Sequence, residues 1–141
     1  MLIILKIILL PVSFIYAVVI RLRNMFFDKS VFKSTAVNAK VISIGNLTVG
    51  GSGKTPAVLF ISKLLKSKGK NVGVLSRGYR RKSKGFILVS DKNGLKTDVN
   101  SAGDELYLTA KELWIPTAAC ENRVTGAKQL INMTKIDTLV L

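Results

Sequence analysis

Histidine is absent from the 141 residues, cysteine occurs once, and eight acids stand against twenty-two lysines and arginines. Without histidine, neither imidazole general-base chemistry nor a His-ligated zinc site is available in this stretch. The lone Cys120 excludes an intrachain disulfide framework and fits a reducing compartment. It reads as a core residue at a strand end, with no chemistry of its own. There is no internal repeat and no low-complexity tract. The shortage of acid leaves a formal net charge of +14, which calls for an anionic counterpart: nucleic acid, acidic lipid or phosphate. Charge alone does not choose among them. A hydrophobic content of 48% excludes a disordered chain, and the length allows about one domain.

Long apolar runs are not lacking. Leu2 to Ile20 is almost wholly apolar, interrupted by Lys6 and Pro11. About twenty helical residues match the ~30 Å hydrocarbon core of a bilayer. Lys6 lies near the end of the segment and can snorkel, and Pro11 kinks a membrane helix rather than forbidding it. A cleaved signal peptide would carry its basic residues before the apolar run, whereas Arg21 and Arg23 come after it. A spanning helix and a helix lying in one leaflet both fit, with the cations on the cytoplasmic side or on acidic lipid. The bland alternative is a buried core helix, although runs of this length are seldom core. The reading is a membrane-anchoring helix over residues 1–27 and a globular domain over 28–141.

Glycine is concentrated where it is needed. VISIGNLTVGGSGKTP, Val41 to Pro56, runs from a short apolar strand into a glycine-rich loop, and then Lys54 and Thr55 open a helix. Strand, loop and helix in that order form a phosphate-binding arrangement, because inward-turned backbone N–H groups approach phosphate oxygens closely and the helix N-terminus adds partial positive charge. Lys54 reaches the β- and γ-phosphates and the Thr55 hydroxyl ligates Mg²⁺. Thr48, Val49, Gly50, Gly51, Ser52, Gly53, Lys54 and Thr55 are the nucleotide-binding residues on this reading. The strict G-x-x-x-x-G-K-[ST] pattern wants glycine where Thr48 stands; the G-G-x-G-K-T core is intact. The bland alternative is a glycine-rich turn with a lysine after it.

Downstream, Pro56 to Leu65 has helical spacing and Gly69 ends the helix. Asn71 to Leu75 is a buried parallel-strand run, completing a βαβ unit. Ser76 to Lys82, SRGYRRK, is a cationic loop at the carboxyl end of that strand, the edge where open parallel sheets bind ligands. Taken alone it is as well explained as a solvated basic loop. Phe86 to Val89, an Asn93-Gly94 turn and Leu95 form a small β excursion. A second helix begins at Ala102, with Asp104 and Glu105 in its first turn. They complement the helix dipole, or they form a carboxylate pair near the nucleotide, one accepting a proton from a substrate hydroxyl. Spacing does not separate these. Ile115 to Cys120, Asn122 to Ile131 and Asp137 to Leu141 read as strand, helix and strand, with Gly126 a weak point in the helix. The fold class is α/β, a P-loop NTPase-like parallel sheet flanked by helices, with an N-terminal membrane-associated helix.

GNLTVGGSGKTP at Gly45 to Pro56, SRGYRRK at Ser76 to Lys82 and GDE at Gly103 to Glu105 together resemble the amino-terminal part of the tetraacyldisaccharide 4′-kinases, the lipid A 4′-kinases of Gram-negative bacteria. The resemblance covers essentially the whole chain, and that family also looks to carry Thr at the Thr48 position. It implies transfer of the ATP γ-phosphoryl group to the 4′-hydroxyl of a tetraacyldisaccharide 1-phosphate lipid A precursor, giving lipid IVA, with Mg²⁺, at the cytoplasmic face of the bacterial inner membrane. The partners it implies are that lipid and inner-membrane lipids, with no nucleic acid. Lys54 and Thr55 keep the roles already derived. Asp104 corresponds to the carboxylate proposed as base, with Glu105 its neighbour, and Lys54, Asp104 and Glu105 make up the catalytic set. Arg77, Arg80, Arg81 and Arg123 would meet phosphates of ATP or of the lipid headgroup. Leu106 stands where the family usually has Pro. The family's acidic DDG-type motif and a later histidine would lie beyond Leu141, so the chain looks like a fragment, expected to be inactive alone. Two other readings of the residues stay open at this stage. One is a membrane-bound P-loop ATPase or GTPase, and the other a non-catalytic basic module for nucleic acid or acidic membranes.

Overall fold

The computed structural model describes residues 2–32, 34–45 and 53–141. The loop residues Thr48, Val49, Gly50, Gly51 and Ser52 lie outside the described residues. The chain divides into two compact units, residues 1–36 and 37–141.

In the first unit, helix α1 runs over Leu2–Asp28, 27 residues with Pro11 inside it. It runs on past Phe26, although the mixed, polar stretch Phe26 to Ala39 reads in the sequence as a loop leading to the first strand. Phe26 and Phe27 both pack edge-on against Phe32, at ring separations of 5.5 and 5.2 Å, and the Arg23 guanidinium sits 5.6 Å from the Phe27 ring centre. These contacts hold the last turn helical and fold the next residues back on it, with the Phe32 N–H donating to the Phe26 carbonyl at 3.1 Å. From Leu9 to Asp28 the helix is long and apolar enough to cross a membrane, with none of that window buried.

The second unit contains β1 (Lys40–Ile42), α2 (Lys54–Ser67), β2 (Val72–Ser76), β3 (Ile87–Asp91), β4 (Gly94–Leu95), α3 (Val99–Ala102), α4 (Asp104–Leu113), β5 (Thr117–Ala119), α5 (Arg123–Thr134) and β6 (Thr138–Val140). Its sheet has the strand order β1-β6-β2-β5-β3-β4. β1, β6, β2 and β5 are mutually parallel, while β3 joins β5 antiparallel and β4 joins β3 antiparallel. The sheet is therefore mixed rather than wholly parallel. The β excursion expected from the Asn93-Gly94 turn is its antiparallel edge, held by an Asn93 N–H donating to Asp91 Oδ1 at 2.7 Å and a Lys96–Asp91 ion pair at 3.1 Å.

Side chains alternate across the strands, as the pleat requires. Val72, Val74, Ala119 and Val140 join Leu106, Ala110 and Leu113 of α4, with Val58, Leu59 and Leu65 of α2 packed against them. Leu75, Ala118 and Leu139 join Ala127, Leu130 and Ile131 of α5 on the opposite face. Helix α4 is more sharply amphipathic than its sequence implies. Leu106, Thr109, Ala110 and Leu113 are buried at i, i+3, i+4 and i+7 spacing, whereas Leu108 and Trp114 are exposed. The polar Thr109 hides this face in the sequence: its hydroxyl donates to the Glu105 carbonyl at 2.8 Å and is thereby satisfied. Leu106, at the family's usual proline position, belongs to the core.

Gly126, which reads as a weak point, is where α5 comes closest to the sheet. A Cβ there would stand 2.6 Å from Cys120 Cβ and 3.0 Å from Leu75 Cδ1. Gly126→Ala is therefore expected to lower stability by about 1–3 kcal/mol through overpacking, despite alanine's better helix propensity. Denaturant unfolding checks this, and a stabilised variant would refute the close approach.

Two exposed carboxylates are among those that contribute to stability on the acid side. Asp137 is held below the ordinary aspartate range by the Thr138 hydroxyl and then the Asn71 N–H, and Asp98 by the Ser101 N–H it accepts as N-cap of α3. A lowered folded pKa contributes stability that is complete above the ordinary aspartate value and disappears as pH falls through the folded value. Replacing either with Asn is expected to flatten the acid limb of a melting-temperature profile; an unchanged limb would show that neither hydrogen bond persists in solution.

Candidate active site

Parallel pairing places the carboxyl ends of β1, β6, β2 and β5 at one edge: Ile42 is level with Val140, and Ser76 with Ala119. The segments leaving these strand ends collect there, including Ile44 after β1, the SRGYRRK segment from Ser76 onward, and Cys120 to Arg123 after β5. Helices α2, α4 and α5 each lead into the amino end of a parallel strand. Their own N-termini consequently point at this same edge, bringing the partial positive charge of their first turns with them.

A cleft opens at this edge. It is lined by Lys54, Thr55 and Val58 from α2, by Val74, Leu75 and Ser76 from β2, by Glu105, Leu106 and Thr109 from α4, and by Arg123, Ile44 and Leu141. Four of the residues singled out by sequence, Lys54, Thr55, Glu105 and Arg123, thus line one concavity from three different helices. Gly53, the N-cap of α2, has φ 72°, a left-handed conformation that costs glycine little and turns the chain into the helix behind Lys54.

Asp104 is the first residue of α4, beside Glu105; it is exposed and not among the cleft-lining residues. Gly103, before it, has φ 84°, and a Cβ there would meet the Tyr79 carbonyl oxygen at 2.7 Å. The backbone of the cationic loop thus lies directly against the residue that precedes the carboxylate pair. Arg77 and Arg80 are exposed on that loop, outside the cleft lining. Arg80 has a left-handed backbone, φ 59°, and its guanidinium lies 5.2 Å from the Tyr79 ring centre.

Arg81 stands apart from the other arginines. Its side chain is 3% exposed and forms a 2.6 Å ion pair with Glu121. Nη2 also donates to the Gly85 carbonyl at 2.6 Å and Nη1 to the Ser83 hydroxyl at 3.2 Å. Glu121 sits low in the carboxylate range, chiefly through a backbone hydrogen bond and, against the opposing effect of burial, through Arg81. Neither Glu121 nor Ser76 stands out in the sequence as a site residue. Ser76 was legible only as the first residue of the cationic loop at the ligand edge; Glu121 carries no local signal, because its partner is forty positions away.

Among the described residues no group of three or more His, Cys, Asp or Glu side chains could enclose a metal ion. Magnesium does not need such a cage: it keeps several waters and takes phosphate oxygens with few protein ligands. A Thr55 hydroxyl in the cleft, at the start of α2, suits that mode.

Comparison with known proteins agrees with the geometry. The sequence profile of the family described as LpxK, tetraacyldisaccharide-1-P 4′-kinase, matches residues 5–141. The tetraacyldisaccharide 4′-kinase of Aquifex aeolicus is 43% identical over 134 residues, covering 94% of this chain and 42% of the relative. That of Flavobacterium johnsoniae is 37% identical over 135 residues, covering 95% and 38%. The chain thus spans about two fifths of the length of these relatives. The crystal structure of LpxK from Aquifex aeolicus in complex with ATP superposes with a TM-score of 0.82 at 43% identity, covering 97% of this chain and 43% of that one. With the family profile matched over residues 5–141 and the fold shared with a solved member, the chain belongs to the tetraacyldisaccharide-1-phosphate 4′-kinase family.

Proposed function

We propose that the protein containing this chain transfers the γ-phosphoryl group of ATP to the 4′-hydroxyl of a tetraacyldisaccharide 1-phosphate, giving lipid IVA, at the cytoplasmic face of the bacterial inner membrane. The observation that carries the proposal is the convergence of Lys54, Thr55, Glu105 and Arg123 on one cleft at the carboxyl edge of the parallel strands. Each has a role that phosphoryl transfer requires. Lys54 neutralises the β- and γ-phosphate oxygens at the N-terminus of α2, which itself favours anions. Arg123 approaches the same space from α5 with a fork suited to phosphate, and the exposed Arg77 and Arg80 extend the cationic border towards a lipid phosphate.

Asp104 acts as the general base. Its carboxylate takes the proton of the acceptor hydroxyl as that oxygen forms its bond to the γ-phosphorus, the bond from phosphorus to the bridging oxygen breaks, and ADP leaves. Glu105, facing the cleft beside it, orients groups around the transferring phosphoryl. Thr55 would hold Mg²⁺ in part, and the ion would supply charge neutralisation on the phosphates.

Helix α1 keeps the enzyme at the membrane that holds its insoluble substrate. A run of apolar side chains without burial supports this reading, with Arg21, Arg23 and Lys29 after it to meet acidic headgroups. Deleting residues 1–28 from the full-length protein is expected to shift it from the membrane fraction to the soluble one. Retention of the truncated protein on membranes would assign the attachment elsewhere.

For the chemistry, the test is phosphate transfer from ATP to a tetraacyldisaccharide 1-phosphate by the full-length protein. Asp104→Asn is expected to lower kcat by about 10²–10⁴ with little change in the KM for ATP, the range for loss of a general base. Lys54→Ala is expected to lower kcat/KM for ATP by a comparable factor. Turnover that survives both substitutions, or ATP hydrolysis indifferent to the lipid acceptor, would defeat the assignment.

A further inference from the structure

We propose that Arg81 is a positioning residue rather than a phosphate ligand: paired with Glu121, it locks the cationic loop onto the turn that presents Asp104 and onto the loop that presents Arg123. The inference rests on the phosphotransferase reading of this site and adds to it the device that sets the geometry.

The guanidinium of Arg81 lies at the junction of three segments. Through Nη2 it holds Glu121, two residues before Arg123, and the Gly85 carbonyl. Glu121 closes the ring, because its second oxygen accepts the Gly85 N–H at 3.0 Å. Through Nη1 it donates to Ser83 Oγ, whose own proton goes to the Ser101 carbonyl at 2.5 Å. Beside that link the Lys82 N–H donates to the Asn100 carbonyl at 2.9 Å. The chain of bonds thus ends in α3, three residues before Asp104.

Packing reinforces the connection. The Arg81 stem crosses directly over Gly78, where a Cβ would stand 2.9 Å from Nε and 3.2 Å from Ala119 Cβ. Gly103 in turn has room only for a hydrogen against the Tyr79 carbonyl. Arg81 Nε is buried with no hydrogen-bond partner among the described residues. A guanidinium so enclosed, and already bound on both terminal nitrogens, has no fork to offer a ligand. Its planarity matters instead, since one rigid group must reach Glu121, Gly85 and Ser83 together. A lysine ammonium on a flexible stem does not reproduce that span.

The experiment uses the full-length protein with Arg81→Met, Arg81→Lys, Glu121→Gln and the Arg81→Met/Glu121→Gln double variant. It measures kcat, the KM for ATP and for the lipid acceptor, thermal unfolding, and hydrogen exchange over residues 99–107. Glu121→Gln, nearly isosteric and carrying no cation, is the variant least able to disturb folding. Each single substitution, Arg81→Lys included, is expected to lower kcat by about ten- to a hundredfold, the cost of displacing reacting groups by a fraction of a bond length. The KM for ATP should stay near its original value, and the double variant should be no worse than the poorer single one, because the two residues act as a unit. Exchange over 99–107 should accelerate in all four.

Two results would overturn the inference. Arg81→Met raising the KM for ATP while Glu121→Gln leaves kinetics untouched would make Arg81 a direct phosphate ligand. A lowered melting temperature with unchanged kcat well below it would make the pair purely structural. If the unsubstituted protein transfers no phosphate, the proposed function fails while the exchange measurement still decides this inference: acceleration over 99–107 upholds it, and its absence rejects it.

Discussion

Parallel pairing of β1, β6, β2 and β5 is the constraint on which the site depends. A parallel neighbour cannot be reached by a tight turn, so the chain must cross back over the sheet. It does so through helices running against the strands. Every such helix begins at the carboxyl edge, and Lys54 with Thr55, Asp104 with Glu105, and Arg123 each fall in the first turn of one of them. Elements far apart in sequence thereby bring Lys54, Thr55, Glu105 and Arg123 to one cleft.

That arrangement also explains why an acidic pair stands at an edge that otherwise carries cations. The N-terminus of a helix welcomes negative charge, so Asp104 and Glu105 sit where the α4 dipole favours them, and they do so whether or not a nucleotide is bound. Neither α2 nor α5 has an acid in its first turn, so no carboxylate of that turn meets the same preference there. The dipole reading and the catalytic reading of the acidic pair, which spacing could not separate, are therefore not exclusive. Glu105 satisfies the first by its position in α4 and becomes available to the second by facing the cleft.

How much of this was legible in the sequence depended on the range of the interactions involved. The βαβ unit was readable because VGVLS is buried on both faces and α2 carries its apolar residues at helical spacing, both local patterns. The hairpin was readable from Asn93-Gly94, but its antiparallel seat beside β5 was not, because pairing partners are chosen by the sheet. Gly126 misled for a related reason: its lack of a side chain weakens a helix considered alone, yet it is the point where α5 meets Cys120 and Leu75. The last turn of α1 was missed because the aromatic contacts of Phe32 outweigh the mixed composition there. At the site, Lys54, Thr55, Glu105 and Arg123 were named from local motifs, and the fold brings them to one cleft. Arg81 was grouped with its neighbours by adjacency, whereas its 3% exposure comes from a carboxylate that no local pattern announces.

The charge of the chain carries the same lesson. A net +14 invites the view that every cation awaits an anionic ligand, but several are spent inside the protein. Arg81 is enclosed with Glu121, Lys96 secures the hairpin through Asp91, and Lys66 Nζ donates at 3.0 Å to the Leu113 carbonyl at the C-terminal end of α4. The last of these places a cation where the α4 dipole is negative, opposite the end that holds Asp104 and Glu105. Helix α4 is thus matched electrostatically at both ends, by its own acids at one and by a lysine from α2 at the other. Since α2 also carries Lys54 and Thr55, this link ties the orientation of the helix that opens with them to that of the helix bearing the carboxylates. The spacing between the two helix N-termini is accordingly set by helix packing and polar bonds remote from the cleft.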